Sequence, residues 1–133
     1  MSERHVSVYS VIKGSWGIWI QLGGWYEFVE VDEQKSDYIE LVIGERVQSE
    51  FSVWLQRGLE KSTEMMAELY CGKHLVICIE EVCFNPCDFQ IEGIEAAMIK
   101  WVEEALSTKK IEVNVSFNKE QNKYSFKYPN DPC

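Results

Sequence analysis

Apolar and polar positions change places every second residue through the first thirty residues of the chain. Val6, Val8, Ser10 and Ile12 alternate with Ser7, Tyr9 and Val11, a run rich in β-branched side chains that predicts a strand. Gly14-Ser15 marks a turn. Trp16, Ile18 and Ile20 then alternate with Gly17, Trp19 and Gln21 as far as Leu22, Gly23-Gly24 marks a second turn, and Trp25 to Val31 continues with the same period. Connections this short predict an antiparallel meander. A polar loop, Asp32 to Asp37, leads to a short strand, Tyr38 to Ile43, ended by Gly44.

The period becomes helical after Ser49, an N-cap residue with Glu50 in the first turn. Phe51, Leu55, Leu59, Ser62, Met66 and Leu69 form one stripe, widened by Trp54 and Met65. Gly72 suits the position after a helix ending near Tyr70. Lys73 to Phe84 is the most apolar strand and is expected at the centre of the sheet, with Asn85-Pro86 breaking it. Ile94, Ala97, Met98, Trp101, Val102 and Ala105 mark a second helix from about Gly93 to Leu106. Ile111 to Phe117 and Tyr124 to Tyr128 alternate again and predict a terminal hairpin, followed by a loose tail over 129–133. The predicted order is β-β-β-β-α-β-α-β-β. One apolar stripe per helix makes this an α+β two-layer sandwich, a mostly antiparallel sheet with both helices on one face.

At 133 residues the chain fits a single domain, 1–133, and 46% hydrophobic content supplies a core. No run approaches the roughly 18 apolar residues of a membrane span, and the N-terminus has no secretory pattern. Five cysteines are too few for a disulfide framework, so the expected compartment is the reducing cytoplasm. The net charge of −9 is concentrated: residues 27–104 hold 18 acidic against 6 basic side chains, while both flanks are mildly basic. An acidic body repels phosphate backbones and attracts basic proteins, so neither direct nucleic-acid binding nor membrane binding is expected.

Candidate chemistry is sparse. Cys71, His74, Cys83 and Cys87 give C-x2-H-x8-C-x3-C, outwardly a zinc pattern. On an unbroken strand, however, the odd separation of His74 and Cys83 points them to opposite faces, so no metal and no cofactor is expected. A Cys71–His74 couple is the one opening for a small Cys/His enzyme. A helix C-terminus raises a thiol pKa, the wrong direction for a nucleophile. No GxSxG, HExxH or glycine-rich nucleotide loop is present, and the expectation is a non-enzyme.

From Trp16 to about Leu106 the landmarks resemble domain IV of translation elongation factor G. A glycine-bearing turn leads into GIWIQL (Gly17 to Leu22), and Gly44 and Val47 precede a long helix. Gly72 enters the strand HLVICIEEV, and Phe84 opens FNPCDFQIEGIEAAMIKWVEEAL, with Glu92 at the family's acidic position and Glu95 and Ala97 of matching type. The resemblance implies the fold. It carries over no GTPase, because the chain has no GxxxxGK[ST] loop, and the tip-like turn Lys13 to Gly17 holds a single lysine.

A small, acidic, motif-free domain fits the class of bacterial immunity proteins, which bind and neutralise a cognate toxin, here a basic one such as a nuclease. The alternative is a stand-alone ribosome-associated factor related to the elongation-factor domain. The candidate partner site comprises Asp32, Glu33 and Asp37 on the polar loop, with Glu27, Glu30 and Glu40 extending the negative surface and Trp16 or Trp25 as an apolar anchor.

Overall fold

The computed structural model describes residues 4–30, 39–66 and 73–129. Its elements are β1 (Arg4–Ile12), β2 (Gly17–Glu30), β3 (Ile39–Ile43), a 3-10 turn (Ser49–Phe51), α1 (Ser52–Met66), β4 (Lys73–Phe84), α2 (Gly93–Leu106), β5 (Asn114–Asn118) and β6 (Lys123–Lys127). Four strands form one sheet in the order β1-β2-β4-β3, and β5 and β6 pair as a separate ribbon. β2 is antiparallel to both neighbours, whereas β3 runs parallel to β4. The parallel pair requires a crossover, and α1 lies on it. The architecture is α+β.

Alternation decides which side chains enter the core. Ile18, Ile20 and Leu22 of β2 and Leu75, Ile77 and Ile79 of β4 face Leu55 and Leu59 of α1 and Ile94, Met98, Trp101 and Val102 of α2 in one buried cluster. Both helices therefore cover the same face of the sheet. Each such side chain is worth about 1.5–3 kcal/mol of burial. Gly58 lets the helices close up, since a Cβ there would lie 2.6 Å from the carbonyl oxygen of Glu95.

Two sequence expectations change. Gly23-Gly24 is no turn: β2 runs straight through it for 14 residues, so the two strands expected on either side are one. The irregularity falls on β4, where the register steps from Gly23↔Glu81 to Gly24↔Ile79 and leaves Glu80 as the extra residue of a bulge. A Cβ on Gly24 would stand 2.2 Å from the carbonyl oxygen of Cys78, so the backbone there passes too close for any side chain. The helical segment also begins differently. Gln48, with extended backbone, holds the cap position, and Ser49 lies inside the 3-10 turn, where its carbonyl accepts from Ser52 Oγ at 2.8 Å. The predicted end of this helix near Gly72 lies outside the described residues.

The terminal ribbon is pinned to the body by Tyr124, which is 1% exposed. Its hydroxyl donates to the carbonyl of Trp16 at 2.5 Å and accepts from the backbone N–H of Lys13 at 2.8 Å and of Gly14 at 3.3 Å. Gln90 pairs with the backbone of the same residue, donating to its carbonyl at 2.7 Å and accepting from its N–H at 2.8 Å. A buried side-chain amide thus takes the place of a missing strand neighbour.

Candidate functional site: the open face of the sheet

The face of the sheet turned away from the helices carries an apolar surface. Cross-strand partners share a face, so the registers place Arg4, Trp25, Cys78 and Val42 in one row across β1, β2, β4 and β3. The next row holds Glu27, Val76 and Glu40, and the one beyond it Val29 and His74. Toward the other end lie Val6, Val8 and Gln21, then Ser10 beside Trp19, and Ile12. Val6, Ile12, Trp19, Val29 and Val42 are each between 37% and 77% exposed. Among the described residues the one other large apolar side chain so exposed is Val53 of α1. Their location on one face that no described helix covers is what distinguishes a contact surface from scattered exposed residues.

The face is also charged. Arg4 bridges to Glu81 at 3.1 Å, and Gln21 donates to the same carboxylate at 3.1 Å. Hydrogen bonds from Gln21, Cys83 and Arg4 hold the Glu81 carboxyl below its ordinary range. Glu40 lies 3.7 Å from the His74 ring. The thiols of Cys78 and Cys83 are pushed up, chiefly by burial, which makes them poor nucleophiles.

The structure brings Trp25, Glu27 and Glu40 together on this face, with the two carboxylates on either side of Val76. Asp32, Glu33 and Asp37 lie outside the described residues. Glu30 ends β2, and its side chain is likewise outside them. Trp16 stands elsewhere: its ring packs edge-on against Phe117 and Tyr124, and its Nε1 donates to Asn122 Oδ1 at 3.0 Å. Trp16 clamps the ribbon to the β1–β2 turn. Val29 and Val42 were not singled out from the sequence, and Trp19, noted with Trp16 and Trp25 beside the glycine pairs, was not among the two anchors chosen. Their signal was the second half of each alternation, the positions left over after the core stripe is drawn.

The bulge corrects the parity argument for the zinc pattern. Because β4 gains a residue at Glu80, His74 and Cys83 lie on the same open face, opposite Val29 and Gln21. Eight residue steps of β2 still separate those rows, about 26 Å. Cys71 is outside the described residues, and among those described no three His, Cys, Asp or Glu side chains group to hold a metal ion.

A concavity of about 650 Å³ lies on the helical side, between β1, α2 and the segment leading to β5. Burial raises the Tyr9 hydroxyl there to about 12. Burial likewise raises Glu103, although its Oε1 accepts from the N–H of Ile111 at 2.6 Å. That bond fastens the connecting segment to α2.

No protein-family model matches the chain, and no curated protein matches it. Solved structures do. A crystal structure of a protein from Thermus thermophilus shares the fold with a TM-score of 0.56 at 11% identity, over 78% of this chain and 15% of that one. The chain thus spans a small part of the protein it matches, and the likeness is one of fold. Among the described residues no helix is long and apolar enough to cross a membrane.

Proposed function

We propose that this chain is a non-catalytic protein-binding domain of the immunity class, which captures and neutralises a basic toxin through the open face of its sheet. The observation that carries the reading is that Val6, Ile12, Trp19, Val29 and Val42 all lie on the sheet face that no described helix covers, Val29 and Val42 next to the carboxylates of Glu27 and Glu40 and Trp19 and Ile12 toward the other end. Apolar area with an aromatic centre supplies affinity, and the surrounding negative charge supplies fast encounter with a basic partner. Trp19 and Trp25 are the anchors. Asp32, Glu33 and Asp37 fall in the sequence between β2 and β3, outside the described residues, and add three negative charges; reversing all three to Lys is expected to slow association and flatten its salt dependence. Burial raises the thiols of Cys78 and Cys83, which weakens these two as nucleophiles on that face.

The test is co-expression with a candidate basic toxin, sought among the genes adjoining this one. Restored growth and co-elution of the two proteins support the reading, and continued killing with separate elution contradicts it. A second reading, a ribosome-associated factor related to domain IV of elongation factor G, draws on the order of elements and on the landmark residues from Gly17 to Leu106. Co-sedimentation with ribosomes that survives moderate salt would favour it over the immunity reading.

A further inference from the structure

At one end of the open face a pocket of about 420 Å³ is lined by Ser10, Ile12, Gly17, Trp19, Asn85 and Asp88. Ile12, Ile18 and Trp19 are its apolar members, and Ser10, Asn85 and Asp88 its polar ones. Asp88 is fixed from several directions. Its Oδ1 accepts from the N–H of Gly17 at 3.2 Å, and its Oδ2 accepts from Asn85 Nδ2 at 3.3 Å. Its backbone N–H donates to the carbonyl of Asn85 at 2.8 Å, and its carbonyl accepts from the N–H of Trp19 at 2.9 Å. A carboxylate has about four acceptor positions, and each Asp88 oxygen has used one, so both retain room for another donor. Trp19, 37% exposed, supplies an indole wall, and Ile12, 77% exposed, supplies an aliphatic one.

We infer that this pocket receives an arginine side chain of the protein partner. The inference rests on the docking reading above and names the group that the open face takes hold of. A guanidinium has a planar fork that matches two carboxylate oxygens, stacks on an indole better than an ammonium does, and follows an aliphatic stem that Ile12 can cover. Charge complementarity selects a cation: the chain carries −9 overall, and among the described residues the pocket is lined by a carboxylate and no cationic side chain. The hydrogen bonds already holding Asp88 mean that little ordering remains to be done on binding.

The probe is Nα-acetyl-arginine methylamide, titrated into the protein and followed by amide and indole N–H chemical shifts. Saturable shifts at the Trp19 indole and the Gly17 amide are expected. The citrulline analogue, neutral and of the same shape, should bind more weakly by about tenfold, given the loss of a charge-assisted pair. Asp88→Asn keeps an acceptor for Gly17 and should cause a similar loss while leaving the Gly17 shift of the free protein near its original value. Ile12→Ala, at an exposed site, should weaken binding without unfolding, and Glu60→Gln on α1 should change nothing. Equal binding of arginine and citrulline, equal binding of the lysine analogue, or shifts unchanged by Asp88→Asn would overturn the inference. The docking reading fails separately, if arginine occupies the pocket as described but arginines placed at Val29 and Val42 leave toxin binding intact.

Discussion

Gly24 shows how a single absent side chain shapes this sheet. The place of a Cβ at this position is 2.2 Å from the carbonyl oxygen of Cys78, so Gly24→Ala must push β2 off β4 at the bulge. The expected loss is about 1–3 kcal/mol, the usual range for overpacking, read by urea unfolding. A loss within error would mean that the strands part easily there. Tyr9 gives a test by pH. Its hydroxyl rises from 10.0 to about 12 through burial, so the folded chain keeps the proton after the unfolded chain has released it. The stability contributed is complete below pH 10 and is lost as pH rises toward 12. Tyr9→Phe should flatten the fall in stability over that window relative to wild type; an identical pH profile in the two proteins would contradict the burial argument.

At the scale of elements, the ribbon and the main sheet are joined by polar contacts at Tyr124 and Gln90. Tyr124→Phe removes the donor to Trp16 and leaves the N–H groups of Lys13 and Gly14 without their acceptor. A cost of about 1 kcal/mol follows, the lower end of the range for unpaired polar groups because these are only part-buried. Hydrogen exchange should quicken across β5, β6 and the β1–β2 turn before it does in β2 and β4. Uniform quickening would show that the ribbon is not a separable unit. The ribbon itself was legible in the sequence, because Val115, Phe117, Tyr124 and Phe126 keep period two around a polar turn. α2 was legible from Gly93 to Leu106, since its stripe and its boundaries agree. The continuity of β2 was not. A Gly-Gly pair reads locally as a turn, and only the approach of the Cys78 carbonyl, distant in sequence, explains both glycines inside a strand. For the same reason the bulge at Glu80 was hidden, and with it the side of the sheet on which Cys83 would lie.

For the whole molecule, the sequence located acidic character in its middle segment but did not locate a surface. Glu27 and Glu40 are thirteen positions apart in the chain, and β4 brings them into one row with Val76 between them. That row exists because β3 returns parallel to β4 instead of continuing a meander, a choice no local pattern records. Trp16 and Trp25 looked alike in sequence, each beside a glycine turn, yet one packs under the ribbon and the other joins the open face. The thiols were equally ambiguous. Burial raises Cys78 and Cys83, whereas Cys87 is exposed, so iodoacetamide near neutral pH should label Cys87 well before either of them. Peptide-resolved mass spectrometry reads the order, and earlier labelling of Cys78 would mean that the open face is looser than its packing implies.

In the proposed function, the sheet face away from the described helices is the surface that captures a basic protein. It is tested by the equilibrium affinity of a candidate basic toxin for wild type and for Val29→Arg/Val42→Arg, which places two cations on that face without touching the core. A loss of at least about a hundredfold, roughly 2.7 kcal/mol, is expected, with the unfolding midpoint of the free variant close to that of wild type. Unchanged affinity in a variant that remains folded would contradict it.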